Sequence, residues 1–412
     1  MRVAIVGCGG QGTGLGGLLA MEPDVEELVL ADQDSNVVSM ARHFIESLGS
    51  RSRVRSIVEA KVDAGNSAEL ARVISGADLV FNGTIPKFNL PIMRACLAAR
   101  AHYLDLFGLP FEGPGVDPAE TVGAQFALDG AFKASDIIAV PSVGMSPGWT
   151  SLAVEHMVKG MDSLHEVIIR WADWVDTDVM IAPISPIVIF HEWFGPPHPV
   201  AMVDGRVEAV DLIDSAETFQ FPSPVGDREV FTVTAHADLA LINRFLGRPI
   251  RRIEEKGGIV LGRLNMQQVW LKAISMQTPK HAGIENFDMM KTFADSFISP
   301  IRFKEYVDRG LIRDAALSFS VEGRGVVNGE RIHHTCYYTS TLETATSHLP
   351  WASHAVYGTV AGVPVELVLR ICRGEVEARG VVNLPDLGIS TELMRATASR
   401  GQALSEKIVR AI

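Results

Sequence analysis

An apolar strand that runs into closely spaced glycines and then into a small-residue helix leaves a chain few ways to fold. Here Met1-Arg-Val-Ala-Ile-Val leads directly into Gly7-x-Gly9-x-x-Gly12, and Leu15, Leu18 and Leu19 continue at helical spacing. Gly7 suits the tight strand-to-helix turn, Gly9 lets the backbone approach a pyrophosphate, and Gly12 lets the helix pack close to the strand. The first N–H groups of the helix, around Gly10 and Gln11, lack partners within it and face an anion. Twenty residues after Gly12 a second apolar strand, Glu27-Leu-Val-Leu-Ala, ends on Asp32. A carboxylate in that position accepts hydrogen bonds from ribose hydroxyls. The pattern therefore predicts a dinucleotide site formed by Gly7, Gly9, Gly10, Gln11, Gly12 and Asp32. With Asp34 next to Asp32, a 2′-phosphate would be repelled, so NAD is expected ahead of NADP. Arg42 and the cluster Arg51, Arg53 and Arg55 are the cations that would offset the repulsion and keep NADP possible.

The following residues alternate strand and helix. Val37, Met40, Ala41, Phe44, Ile45 and Leu48 recur at helical spacing, and Gly49 supplies a stop. Strands are predicted over 55–62, 78–82, 102–107 and 137–141, with helices near 68–74, 90–99 and 120–133. Such alternation implies right-handed crossovers and a doubly wound parallel sheet, the Rossmann-type α/β class. Ligands of these sheets lie beyond the carboxyl ends of the strands. Asp63, Asn82-Gly83-Thr84 and Phe107-Gly108 should therefore share one rim with the glycine loop. Asp63 fits either an adenine contact or a turn before Ala-Gly. Asn82, Gly83 and Thr84 fit either the nicotinamide ribose or a simple polar turn. Asp105 lies inside an apolar strand, where an unpaired carboxylate is costly; it is either a hydrogen-bonding hub or a catalytic group.

Past Gly148 the pattern changes. Strand-like stretches at 166–171, 200–203, 229–234 and 251–254 precede a hairpin of 317–322 with 332–339, turned by Asn328-Gly329. Helices are predicted over 266–275 and 287–297. This is an α+β domain with a mixed or antiparallel sheet. At 412 residues two domains are expected. The predicted division is a dinucleotide-binding domain over 1–148, a substrate domain over 149–356 and a segment over 357–412 that returns to the first domain.

Within the second domain, Phe190-His-Glu-Trp-Phe-Gly-Pro-Pro-His198 reads as a rigid loop facing a cavity, with His191 a base candidate and Trp193, Phe194 and His198 lining a substrate pocket. Histidine suits proton transfer near neutral pH. His236, in Thr234-Ala-His-Ala-Asp238, is the second base candidate. His333 and His334, adjacent in a strand, face opposite sides, which argues against shared metal ligation; no metal site is expected. Arg170, Arg228, Arg244 and Arg263 are the basic residues available to a substrate carboxylate.

Composition narrows the partners. A net charge of −12 argues against nucleic acid and anionic membrane surfaces. No apolar run is expected to reach bilayer-spanning length, and the first strand starts at Arg2, so no leader is expected either. Cys8, Cys96, Cys336 and Cys372 are scattered without metal-ligand spacing, which fits a reduced, cytoplasmic setting.

Several stretches together resemble the saccharopine dehydrogenase family, in particular its lysine 6-dehydrogenase-like members. They are the opening glycine loop with Leu30-Ala-Asp32, Val62-Asp-Ala-Gly65, Tyr103-Leu-Asp105-Leu, Pro141-Ser-Val-Gly144-Met-Ser-Pro147-Gly148, Thr359 with Val363-Pro364, and Arg373-Gly-Glu375 with Arg379-Gly-Val-Val. Residues 172–260 match only loosely. The resemblance implies a two-lobed enzyme, here expected as a homodimer, that moves hydride between NAD(P) and a nitrogen-bearing carbon of an amine or amino acid. It places Gly144 and Pro147 at the edge of the nicotinamide pocket as hinge and wall. A saccharopine reductase-like or carboxynorspermidine synthase-like imine reductase is the alternative within the family, and a non-catalytic redox sensor is the alternative of another class.

Overall fold

Six short strands alternate with helices at the start of the chain: β1 (Arg2–Val6), β2 (Glu27–Asp32), β3 (Ser56–Lys61), β4 (Leu79–Asn82), β5 (His102–Asp105) and β6 (Ile138–Val140). The computed structural model describes residues 1–109, 116–194, 199–233, 236–262, 264–266, 289–298 and 300–410. All neighbouring pairs in the first sheet are parallel, and the order β3-β2-β1-β4-β5-β6 reverses direction between β1 and β4. Val3, Ala4, Ile5 and Val6 are almost wholly buried, as expected of a central strand covered on both faces. The helix expected over 120–133 is two shorter ones, Val122–Phe126 and Asp129–Ala134.

The helix Trp149–Lys159 carries the chain into a ten-stranded mixed sheet. Its strands are β7 (Ser163–Thr177), β8 (Val200–Val203), β9 (Arg206–Ala209), β10 (Glu217–Gln220), β11 (Asp227–Thr232), β12 (Arg252–Leu261), β13 (Leu264–Asn265), β14 (Ile312–Val327) and β15 (Glu330–Thr341), completed by a strand from the C-terminus. The main path runs β10-β11-β12-β7-β14-β15, with β12 and β7 parallel and the other pairs antiparallel. Asn328 and Gly329 turn β14 into β15 with φ of 51° and 78°, the positive pair a two-residue hairpin requires. The expected helix over 266–275 lies outside the described residues apart from Met266. The one near 287–297 is described as Met289–Asp295.

The return to the first sheet begins earlier than residue 357. The helix His354–Val360 already packs on the first helix, Gly10–Ala20, because the glycines of that helix give it a flat face. A Cβ on Gly14 would come within 2.7 Å of Val356, and one on Gly17 within 2.8 Å of Trp351. After the helix Val363–Cys372, β16 (Gly380–Val381) adds to β6 as a seventh parallel strand. The last strand, β17 (Ala403–Arg410), then crosses to the other sheet and pairs antiparallel with β15. The segment 357–412 is thus divided between the two sheets. The stretch His354–Cys372 is long and apolar enough to cross a membrane, contrary to expectation, yet 78% of it is buried inside the protein, where it serves as core.

Candidate active site

The glycine loop ends β1 at the point where the strand order reverses. Gly7 takes φ 90°, and a Cβ on Gly12 would collide with the Gly7 carbonyl, so the turn and the close strand–helix contact both depend on glycine. Gly9 caps the first helix and has open space where a side chain would stand. Asp32, at the end of β2, accepts hydrogen bonds from the backbone N–H of Cys8 (2.9 Å) and of Asp34 (3.1 Å). The carboxylate is thereby locked beside the loop. Asp63 accepts from Gly65 N–H at 2.8 Å, forming the turn before Ala-Gly, and it also faces the cavity.

That cavity, of about 600 Å3, opens beyond the carboxyl ends of the first sheet and runs to the face of the second. Gly7, Gly9, Gly10, Gln11, Asp32, Asp63, Gly83, Thr84 and Gly144 line one end. The other end is formed by Trp171 and Asp173 of β7, Ile259 of β12, Leu317 and Phe319 of β14, and His236. The register sets this floor: Trp171 lies opposite Phe319 and Asp173 opposite Leu317, so alternate residues of both strands face the same way. The Trp171 indole lies over Gly257, its parallel partner on β12, in the space a side chain there would fill.

Two sequence candidates work from behind the wall. Asn82 is fully buried; its Nδ2 donates to Asn89 Oδ1 (2.8 Å) and Tyr103 Oη (3.0 Å), and its Oδ1 accepts from Thr84 N–H (2.9 Å). Asn82 thus holds Gly83 and Thr84 in place without lining the cavity. Asp105 accepts from Tyr103 Oη (2.8 Å), Gln125 Nε2 (2.6 Å) and the Ser142 N–H (2.8 Å). Burial pushes its carboxyl upward, and these bonds oppose the shift. Asp105 is a hub that fixes the run 142–144 leading to Gly144, rather than a group in contact with a reacting atom. Pro147 is buried behind Ser146, which lines the cavity, and Gly148 takes φ 136° where a Cβ would strike the Gly144 carbonyl.

Two buried clusters of ionisable side chains flank the far end. His236 Nδ1 is 2.8 Å from Glu255 Oε1 and 3.9 Å from Asp238 Oδ2. Ser146 Oγ lies 2.7 Å from Asp238 Oδ2 and 2.8 Å from Glu255 Oε1, and Thr150 Oγ1 donates to Asp238 Oδ1 at 2.5 Å. Burial pushes the Glu255 carboxyl up to about 7, Asp238 adds to the rise, and His236 opposes it. In the second cluster, His354 Nε2 is 2.7 Å from Asp173 Oδ1; both residues are essentially buried, and Asp173 faces the cavity.

Residues 3–140 match the family model for the saccharopine dehydrogenase NADP binding domain. Over its first sheet the chain is thus similar to the saccharopine dehydrogenase family. It is 29% identical over 240 residues to carboxyaminopropylagmatine dehydrogenase of Synechocystis sp., covering 55% of each chain. It is 22% identical over 416 residues to carboxynorspermidine synthase of Vibrio alginolyticus, covering 94% of this chain and 92% of that one. The match thus spans about half the length of the Synechocystis relative. Saccharopine dehydrogenase (L-Glu forming) of Saccharomyces cerevisiae shares the fold, with a TM-score of 0.66 at 12% identity over 99% of both chains.

The first lobe fits an NAD(P) cofactor: helix-start amides at the glycine loop, open space at Gly9 and Asp32 on the cavity wall. Two of the cations that would favour a 2′-phosphate are engaged elsewhere. Arg42 is 2.7 Å from Glu46 and 3.1 Å from Glu59, and Arg51 donates to the His348 carbonyl at 2.6 Å.

The base candidates separate. His236 lines the cavity, and His191 does not. Phe190–Phe194 is not a loop but the end of a helix, Pro186–Phe194, whose first turn lines the cavity while His191 lies a turn further along, within electrostatic reach of Glu120. Trp193 and Phe194 lie in that helix, and His198 lies outside the described residues. Nor do the described arginines line the cavity. Arg170 pairs with Glu217 (2.9 Å) and Glu322 (3.1 Å), Arg228 stacks on Trp174, Arg244 stacks on Phe126, and Arg263 lies outside the described residues.

Sequence reading missed Asp173, His354, Glu255 and Asp238. One signal was present: a carboxylate in Arg170-Trp-Ala-Asp173-Trp, inside a strand whose neighbours are apolar, has to be paired or functional.

Proposed function

We propose that the chain is an NAD(P)-dependent oxidoreductase that moves hydride between the nicotinamide and a nitrogen-bearing carbon of a small amine, with NAD preferred. The observation that carries this reading is the single cavity joining the glycine loop to Asp173 and His236. When bound, the nicotinamide supplies or accepts the hydride. The protein's own residues do the rest. Trp171, Phe319 and Leu317 pack against carbon and exclude water, and Asp173 offers a carboxylate to an ammonium group. Among the described lining residues the ionisable side chains are Asp32, Asp63, Asp173 and His236, a set that favours a cationic substrate.

His236 moves the proton. In imine reduction the C=N carbon gains hydride and the nitrogen gains a proton; amine oxidation reverses both. Glu255, 2.8 Å from the ring and with its carboxyl raised by burial, is placed to exchange a proton with His236. The sensor reading accounts for neither buried cluster.

Two relatives named for carboxylated amines favour imine reduction over the lysine 6-dehydrogenase-like reading. The test follows NADH and NADPH oxidation with diamines plus a carboxylated aldehyde, and NAD reduction with lysine alone. Cofactor oxidation that requires both partners is expected. Ammonia release from lysine with NAD reduction would restore the deaminating reading, and cofactor unchanged in every mixture would overturn both.

A further inference from the structure

A third cluster lies on the outer edge of the second sheet, away from the cavity. His156 comes from the end of the helix Trp149–Lys159, His334 from β15 and Glu406 from β17. His156 Nε2 is 3.0 Å from Glu406 Oε1, and His334 Nε2 is 3.0 Å from Glu406 Oε2. One ligand atom from each of the three lies within 4.8 Å of the other two. The register explains the convergence: β17 pairs Glu406 with Cys336, so Glu406 shares a face with His334 two residues away. His333, one residue away, points to the opposite face and pairs with Glu322 at 3.5 Å.

We propose that His156, His334 and Glu406 form a structural zinc site that clasps the C-terminal strand to the body of the protein. Two imidazoles and a carboxylate are a zinc donor set, whereas magnesium and calcium take oxygen ligands. Around a tetrahedral ion with bonds of roughly 2.0–2.1 Å, neighbouring ligand atoms stand about 3.3 Å apart. The two rings meet different oxygens of Glu406 at 3.0 Å, so admitting the ion requires these contacts to open by a few tenths of an ångström and the carboxylate to turn one oxygen toward both rings. Each ring then carries its proton on Nδ1 and gives the Nε2 lone pair to the metal, and water completes the coordination. The opening is one-sided: the His334 side chain is 9% exposed, against 35% for His156 and 44% for Glu406.

The site has a task. β17 is an edge strand whose side chains are mostly exposed, Ile408 at 62% and Val409 at 46%, so little apolar burial holds it to β15. A metal bridge would tie it to a helix 250 residues earlier in the chain.

The experiment uses the full chain, stripped with a chelator and titrated with zinc against a competing chromophoric chelator, with Tm read in parallel. One zinc per chain and a saturable rise in Tm are expected, with no response to magnesium. His156→Ala and His334→Ala should each weaken zinc binding about tenfold or more. His333→Ala, on the same strand but the other face, should keep wild-type affinity. Retained cofactor binding certifies the fold of each variant; if His334→Ala does not fold, the half-exposed His156→Ala decides alone. No stoichiometric zinc in wild type, or wild-type affinity in His156→Ala, would overturn the proposal.

Discussion

The two ends of the cavity are made of different material. At the cofactor end the protein presents backbone: Gly7, Gly9, Gly10 and Gly83, with Asp32 and Asp63 fixed by main-chain N–H groups. At the substrate end it presents buried ionisable side chains, His236 with Glu255 and Asp173 with His354, over an aromatic floor. A backbone site must be written in glycines at fixed spacing, because only absent side chains let the main chain reach a phosphate. A side-chain site is assembled from residues of any spacing. His354 meets Asp173 across 181 residues. The first kind can be read from sequence, and the second only once the strands are in register.

The contrast is open to test, and the largest effect should come from the substrate end. His236→Asn is expected to lower turnover by about 10²–10⁴-fold while leaving NAD affinity unchanged. Stopped-flow turnover with a separate cofactor titration checks this. Equal losses in both would mean the ends are not separable. Asp173→Asn keeps an acceptor for His354, so the fold should hold, but the ammonium loses its counter-charge. KM for a diamine should rise about 10–100-fold with kcat changed little, on the scale of a lost charged hydrogen bond; a fall in kcat alone would make Asp173 a proton carrier instead.

The cofactor end should respond more modestly. Asp32→Ser removes the charge facing a 2′-phosphate, and the ratio of NADP to NAD dissociation constants should narrow by about tenfold. An unchanged ratio would place the discrimination elsewhere.

The smallest effect concerns pH. Burial raises the Glu255 carboxyl from its ordinary 4.5 to about 7, so the native state keeps a proton that the unfolded chain releases. Stability is therefore lost as pH rises from about 4.5 to 7. Glu255→Gln cannot ionise, so its Tm relative to wild type should improve as pH rises from 5 to 8. A difference in Tm that stays constant with pH would show that Glu255 does not titrate there.

Legibility followed the same divide. β1 to β6 were predicted to within a few residues because the buried strands read as apolar runs between helices of clear period; β3, at the edge of the sheet, is largely exposed. β17 was not predicted: Ala403–Arg410 is an edge strand with both faces largely exposed, so its residues carry no alternation. The stretch 190–198 was read as a loop because its Gly-Pro-Pro end outweighed the helical spacing of Pro186–Phe194. Asn82 was read at the rim and Asp105 inside its strand, but the sequence does not show that their side chains turn inward to Tyr103, Gln125 and Asn89.

The Trp171 indole rests where a side chain on Gly257 would be. Residue 257 is absent from the cavity wall, yet it acts as a throttle on the cavity's bore. An alanine there would press the indole forward into the space a substrate needs, whereas a smaller residue at 171 would deepen the chamber. On the reading proposed above, the size of substrate this cavity admits is thus set in part by a strand position that lies behind its wall.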